Sequence, residues 1–512
     1  MIDNKGVCVA LMSVLLWAPG CDEAEVSPEE QFTEAEDRSW SCNNSYLVDD
    51  VRELIAERGI TPFERPAPIR AELVELGRAL FHDKILSGGR DTSCGTCHNP
   101  ALGTTDRRPL NAGVLGHGVG LDRVGGQVGG RHSQGLYNLH TLETLAVDGK
   151  VEQVEDMVIG LGLPVILPEY QEAFEDFPGV AKPRVVAGQA MLPQVTFGEM
   201  LGVPGTDPNN ELMACVDPNT PLPLVFACVF DLYMVRIGQI PEYVEMFEDA
   251  YNMPFEDLNF GHVGTAIAAY ELMAFSFNES PWDAFVEGDD CALNGWELRG
   301  ARQFLDEDRA NCASCHSGNG FTDNEFHNTL APTFGCGNDL PKRNGPDGLD
   351  DFGRTRNTYA EPWVFGGYGD EIFPVEDRYK WRTPPLRNVE FTAPYGRLGQ
   401  TAELWDFVAH YNDPEAELLS YDITQLPDTD FDDYTGFACE APSLHASMVD
   451  NASEIIAAGA DPLLDEVTLY SWWHVSQLTS FLYALSDEDA HPDNLEASIP
   501  DSVPSNLPVD RP

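Results

Sequence analysis

The feature that most constrains this 512-residue chain is a short motif, Cys-x-x-Cys-His, that occurs twice. The two copies comprise Cys94, Cys97 and His98, and Cys312, Cys315 and His316. Two cysteines three residues apart lie on one face of a helical turn, so both thiols can form thioether bonds to one haem. The adjacent histidine then becomes an axial ligand of the haem iron. Each copy therefore predicts a covalently bound haem c.

Two other kinds of site use this cysteine spacing, a dithiol redox centre and half of a zinc site. The duplication and the histidine in both copies favour haem. The preceding residues also repeat, because Gly77 and Phe81 have the same four-residue offset as Gly300 and Phe304. Apolar residues at helical spacing predict a helix before each motif. We expect a mainly α-helical fold, with two cytochrome c-like haem domains in one chain and long loops and insertions.

The N-terminus predicts export. The apolar run from Val7 to Trp17 is too short to span a bilayer and suits the core of a signal peptide. It ends in "APGC", which resembles a bacterial lipoprotein signal, so residues 1–20 would be removed and Cys21 lipidated. A plainly cleaved secretory peptide is the alternative. We expect the protein in the periplasm or outer cell envelope of a Gram-negative bacterium, attached to a membrane only through this lipid.

The remaining cysteines fit an oxidising compartment. Six of the twelve lie outside the signal region and the two motifs, and an even number predicts disulfides. Cys215 and Cys228 bracket a loop-like stretch and are the pair that we expect first.

The charge is strongly acidic, with 85 acidic and 30 basic residues and a net charge of −55. Nucleic acid and anionic lipid would be repelled, whereas a basic protein partner would be attracted. A solvated acidic surface that serves solubility or salt tolerance explains the same composition.

Several stretches together resemble the bacterial di-haem cytochrome c peroxidase and MauG family. They are "LGRALFHDKILSGGRDTSCGTCHNPALGTTD", "GLYN", "CASCHSGNGFTDNEFHN" and "TPPLRNVEFTAPY", and the resemblance covers about residues 65–485. It implies that the N-terminal haem meets peroxide and that the C-terminal haem stores or relays electrons. The stretch "GQAMLPQVTFGEM" matches the distal pocket of the N-terminal haem. By that resemblance Glu199 is the general acid–base for peroxide cleavage and Gln189 is its polar neighbour.

The resemblance also implies further ligands. Tyr411 stands where the family places a second axial ligand of the C-terminal haem, and tyrosine is the MauG-type choice where peroxidases have methionine. A packed aromatic residue is the alternative. His117 matches a histidine that caps the resting N-terminal haem in some peroxidases, and an exposed loop residue is the alternative. Val147 replaces the family's tryptophan between the haems, so the path for electrons there would need another aromatic residue.

A calcium ion often lies between the family's two domains. The carbonyls of Thr392 and Pro394 match two of its ligands. His132 replaces its side-chain ligand asparagine, which weakens the expectation.

The organisation that we expect has five segments, one of which contains an insertion. They are a signal peptide (1–20), an acidic tether (21–60), a peroxidatic haem domain (61–285) with an insertion at about 151–240, an electron-transfer haem domain (286–487) and a disordered tail (488–512).

The leading hypothesis is a di-haem peroxidase that reduces hydrogen peroxide to water with electrons from a periplasmic cytochrome c or cupredoxin. One alternative is a MauG-like oxidase acting on a partner protein or a small organic molecule. The other is a non-catalytic di-haem electron carrier.

The attachment chemistry predicts the haem content of variants. Intact mass spectrometry of protein matured by a cytochrome c biogenesis system should show two covalent haems per chain. The variants C94S/C97S and C312S/C315S should each retain one. A chain that carries metal but no thioether-bound haem would contradict the prediction.

Overall fold

The computed structural model describes residues 45–154, 157–160, 163–164, 177–217, 219–220, 222–333, 353–354, 375–423, 426, 452–469 and 471–512. The predicted signal peptide, Cys21 and the first half of the predicted tether lie outside these ranges.

The described part is mainly helical, as predicted. Its α-helices are α1 (Ser45–Glu57), α2 (Ala71–His82), α3 (Cys94–Cys97), α4 (Pro183–Ala190), α5 (Leu222–Ile237), α6 (Pro241–Tyr251), α7 (Phe260–Ala274), α8 (Pro281–Glu287), α9 (Gly295–Leu305), α10 (Leu404–His410), α11 (Pro414–Ser420), α12 (Trp472–Tyr483) and α13 (Pro492–Leu495). Its strands are β1 (Gly116–His117), β2 (Val124–Gly125), β3 (Thr144–Leu145), β4 (Val151–Val154), β5 (Met157–Gly160), β6 (Leu163–Pro164), β7 (Phe326–His327) and β8 (Trp381–Arg382). All neighbouring strands are antiparallel, in the pairs β1–β2 and β7–β8 and the four-stranded order β3-β4-β5-β6.

The two larger hydrophobic cores of the described residues each lie beside one haem-attachment motif, and a smaller cluster lies around Leu330, Tyr379 and Ile455. In the first core α2 packs against α7, and in the second α9 packs against α12. The repeated glycines lie at these two crossings. A Cβ on Gly77 would come within 1.8 Å of the Ala266 carbonyl oxygen, and one on Gly300 within 1.9 Å of the Gln477 carbonyl oxygen. Only glycine allows the two backbones to approach so closely.

The tether prediction is wrong for residues 45–57, because these residues form helix α1. Leu47, Val51 and Ile55 recur at helical spacing and are buried in the second core. Arg52 pairs with Asp290 at 2.6 Å and fixes the helix to the second half of the chain. The helix α8 also belongs to the second core, so the boundary predicted at residue 285 lies too late.

The disordered tail predicted for residues 488–512 is also wrong. This segment leaves the second core and packs against the first, where Ala490 and Leu495 are buried. The Tyr137 hydroxyl donates to the Ala490 carbonyl at 2.8 Å. Near the chain end, the Lys84 ammonium lies 2.6 Å from the Asp510 carboxylate. Side-chain and backbone contacts to distant elements therefore order a segment that is rich in proline and aspartate.

The predicted insertion contains β4–β6, α4 and α5. The predicted disulfide between Cys215 and Cys228 is confirmed.

Within the described ranges, no single helix has the length and apolarity needed to cross a membrane. The helix pair Leu224–Ile237 and Pro241–Tyr251, which is bent by 108°, meets those criteria only in combination.

The close crossings predict a large cost for adding one methyl group. We expect Gly77→Ala and Gly300→Ala each to lower the free energy of unfolding by about 3 kcal/mol, because the paired helices must move apart. Urea unfolding of the holoprotein measures this. Gly198→Ala is a suitable control, since its Cβ would make only an ordinary contact at 3.7 Å. Equal stability of all three variants would contradict this account of the crossings.

Candidate functional site

The first attachment turn is the short helix α3. Its entry is fixed by a capping box, in which the Ser93 amide donates to the Thr96 hydroxyl at 2.8 Å. The Thr96 hydroxyl in turn donates to the Asp510 carboxylate at 2.5 Å. His98 follows α3, and its Nδ1–H donates to the Thr104 carbonyl at 3.2 Å. That hydrogen bond leaves Nε2 as the nitrogen that can ligate iron.

The second attachment turn follows Asn311, which adopts a left-handed conformation with φ of 53°. The backbone amide of His316 donates to the Cys312 carbonyl at 2.9 Å. The His316 Nδ1 lies 3.1 Å from the carbonyls of both Phe321 and Pro384. The ring is therefore oriented in the same way as that of His98, with Nε2 assigned to the iron.

Both attachment turns line one continuous cavity. Its walls contain Cys94, Cys97, His98, Cys312, Cys315 and His316. These four cysteines form no disulfide within the described part of the chain. Burial raises the pKa of the thiols of Cys97 and Cys312 to about 12, so they are held as thiols. Buried thiols beside histidines with assigned Nδ1 protons suit thioether attachment and axial ligation, so the residues fit two haems.

Gln189 and Glu199, the predicted catalytic pair, line the same cavity. Gln189 lies in the last turn of α4, and its Oε1 is buried without a hydrogen-bond partner among the described residues. Glu199 lies in a π-helical turn over Phe197–Leu201, a rare element that is common at functional sites. The Val114 amide donates to the Glu199 carbonyl at 3.1 Å and holds this turn. The pair therefore faces a space where a polar ligand can bind.

Tyr411 lines the cavity at the end of α10, close to Cys312 and Cys315. Burial raises the pKa of its phenol. A phenolate would therefore form here only beside a strong positive charge, such as that of ferric iron. This position agrees with the predicted ligand role.

The chain is similar to a family of known proteins. The profile described as "Di-haem cytochrome c peroxidase" matches residues 71–291. The cytochrome c551 peroxidase of Pseudomonas aeruginosa is 27% identical over 349 residues, which are 67% of this chain and 73% of that protein. The methylamine utilization protein MauG of Methylorubrum extorquens is 27% identical over 350 residues, 68% of this chain and 71% of that one. Residues 71–291 thus match the di-haem cytochrome c peroxidase family model, and the chain as a whole is similar to cytochrome c peroxidases and to MauG.

A solved structure shares the fold. It is a MauG-like protein associated with microbial copper homeostasis, with a TM-score of 0.51 and 20% identity. The match covers 84% of this chain and 94% of that one. The names of these relatives support an oxidoreductase, and the di-haem family description implies haem c cofactors.

One predicted ligand lies apart from the cavity. His117 is on the exposed hairpin of β1 and β2 and is not among the residues that line the cavity. Thr392 and Pro394, the predicted calcium ligands, line the cavity together with His132, but the comparisons do not support the calcium expectation. His132 stands in place of the calcium ligand, and its Nδ1 instead donates to the Arg108 carbonyl at 2.7 Å.

One cluster of possible metal ligands lies beside the second attachment turn. Ligand atoms of Cys315, Asp323 and His327 lie within 4.8 Å of one another. The Cys315 sulfur is committed to haem attachment, which leaves His327 between the carboxylates of Asp323, at 2.9 Å, and Asp461, at 2.7 Å. The hydrogen bonds of this cluster therefore stabilise the second attachment turn, and the cluster is not a separate metal centre.

Trp381, which was not predicted from the sequence, lines the cavity next to Val147. The Arg382 amide donates to the Val147 carbonyl at 2.8 Å, which brings the tryptophan to the place where the family's aromatic residue is missing. The guanidinium carbons of Arg131 and Arg397 lie 5.0 and 4.2 Å from the ring centre. Its position two residues before the "TPPLRN" stretch was the available signal.

Glu271 was also missed. This carboxyl on α7 is buried and lines the cavity. Burial raises its pKa to about 8, so the folded protein holds it protonated at neutral pH. It carried no sequence signal, because it lies within an apolar helix.

The raised pKa of Glu271 predicts a pH dependence of stability. The folded protein binds one proton more than the unfolded chain between the ordinary glutamate pKa and about 8, so stability falls as pH rises through this window. We expect wild type to lose up to about 3 kcal/mol relative to Glu271→Gln between pH 5 and pH 8. Denaturant unfolding at both pH values measures the difference. The exposed Glu256→Gln is the control, and parallel pH curves for wild type and Glu271→Gln would refute the prediction.

Proposed function

We propose that the protein is an exported di-haem peroxidase that reduces hydrogen peroxide to water with electrons from a periplasmic cytochrome c or cupredoxin. The observation that carries the proposal is the single cavity lined by both attachment turns, Gln189 and Glu199. We propose a periplasmic or outer-envelope location with a lipid on Cys21, on the signal-like N-terminus.

The reaction needs two electrons and two protons for each hydrogen peroxide, and it yields two waters. The haems, when bound, supply the iron that receives peroxide and the centres that carry the electrons. The residues of this chain supply the proton chemistry. Cleavage of the O–O bond leaves hydroxide unless a proton reaches the departing oxygen.

We assign the movement of that proton to Glu199, which lines the cavity. Its carboxylate takes the proton from one peroxide oxygen and returns it to the other oxygen, which then leaves as water. The Gln189 amide, whose Oε1 has no partner among the described residues, holds the peroxide for this transfer. Both side chains line a cavity whose other walls include the apolar Leu192 and Pro193.

A MauG-like oxidation of a partner protein or small organic molecule is the second candidate. It is supported by Tyr411 on the cavity wall, because tyrosine at this place is the MauG-type residue. Turnover with a reduced cytochrome, compared with mass-spectrometric detection of oxidised residues on co-purified partners, separates the two functions.

The role of Glu199 predicts a specific loss. We expect Glu199→Gln to lower kcat/KM for hydrogen peroxide by about 10²–10⁴-fold, because the transferred proton no longer has a carrier. Both haems should remain attached and the ferric spectrum should change little. Steady-state oxidation of a reduced cytochrome c measures the rate, with the exposed Glu242→Gln as control. An unchanged rate would contradict the proton-transfer role of Glu199, whereas a wild-type protein without peroxide-dependent turnover would support the non-catalytic electron carrier instead.

A further inference from the structure

Among the described residues, four tryptophans are exposed on the second half of the protein. Their exposed fractions are 57% for Trp472, 47% for Trp473, 37% for Trp405 and 36% for Trp296. Tryptophan is costly to leave in water and is enriched at the centres of protein interfaces. Contiguous exposed apolar surface marks a site of interaction.

The four rings form one surface, here called the tryptophan patch. Trp473 stacks on Trp472, with ring centres 4.0 Å apart, and on Trp296 at 5.2 Å. The Trp405 Nε1–H donates to the Ser476 hydroxyl at 3.1 Å. Ser476 lies one helical turn after Trp472 and Trp473, so all four rings share one face.

The tryptophan patch lies behind the second haem site. Trp405 is on α10 and Trp472 and Trp473 are on α12, while other residues of these two helices line the cavity. Leu478 and Leu482 are two of these inward-facing residues. A single layer of helix, about 10 Å thick, therefore separates the patch from the cavity.

Acidic residues accompany the patch. Glu403 and Asp406 are exposed on either side of Trp405, and the exposed Asp465 and Glu466 precede α12. The nearby Arg299 directs its guanidinium to the Gly295 carbonyl at 2.7 Å, along its own helix. An apolar centre with an acidic surround suits a partner with a basic rim. A second copy of this chain would instead place acidic groups against acidic groups.

We propose that the tryptophan patch is the docking surface for the protein electron donor, a small redox protein whose basic residues surround an apolar contact. This inference rests on the proposed function. In each encounter one electron leaves the metal centre of the donor and enters the second haem, and no bond is formed or broken. Two encounters supply the two electrons that one hydrogen peroxide consumes.

Binding tests the patch without any turnover. The probe is a basic mono-haem cytochrome c, titrated calorimetrically into the holoprotein at low ionic strength with both proteins oxidised, so that no electron moves. We expect Trp472→Ala to weaken binding at least about tenfold and Trp472→Phe to weaken it less. Leu224→Ala, which removes a 59% exposed side chain from α5, should leave Kd unchanged. The variant E403K/D406K should weaken binding and flatten its dependence on salt.

Electron uptake separates this inference from the proposed function. Stopped-flow mixing of the reduced cytochrome with oxidised holoprotein, without peroxide, should be slowed in Trp472→Ala, whereas reduction by ascorbate should keep its rate. If uptake depends on the patch but peroxide is not reduced, the proposed function fails and the docking surface stands.

Three results would overturn the inference. One is that the wild-type holoprotein does not bind the basic cytochrome. Another is that correctly folded Trp472→Ala binds it as tightly as wild type does. The third is that wild type is a dimer in size-exclusion chromatography and Trp472→Ala is a monomer, which would make the patch an interface between two copies.

Discussion

Two helix crossings at backbone contact distance hold the rest of this structure in place. At each crossing a glycine meets a carbonyl oxygen of the partner helix, Gly77 against Ala266 and Gly300 against Gln477. The helices that contain these glycines, α2 and α9, lead into the two haem-attachment turns. A change in either interhelical distance would move the cysteines and the histidine that follow. The repeated glycine is therefore a requirement for positioning each haem.

The shared cavity contains three kinds of reactive or polar group: buried thiols, oriented histidines and the amide of Gln189. Its thiols are buried and held protonated until haem is attached, and its histidines carry their protons on Nδ1 because backbone carbonyls accept them. Gln189 presents a polar atom that finds no partner among the described residues. Such an atom costs free energy when buried, and a ligand that hydrogen-bonds to it recovers that cost. The polar part of the cavity is thus prepared for a small polar molecule.

The sequence predicted those parts of the molecule whose information is local. The attachment turns, the helices before them, the Cys215–Cys228 disulfide and the approach of Gln189 and Glu199 to the first haem turn follow from short-range spacing or from family motifs. It failed for α1, because an acidic composition hid the helical spacing of Leu47, Val51 and Ile55. It failed for residues 488–512, because their partners lie in another part of the chain. Trp381 escaped notice because only tertiary structure brings it beside Val147.

The contact between Thr96 and Asp510 has a consequence for the order in which the protein is completed. The two residues are separated by 414 positions, so the hydroxyl cannot meet the carboxylate until almost the whole intervening chain has been synthesised. Until then the turn that contains Cys94 and Cys97 lacks its last covering segment. If haem is attached in this interval, the attaching enzymes meet the turn uncovered, and the C-terminal segment covers it afterwards.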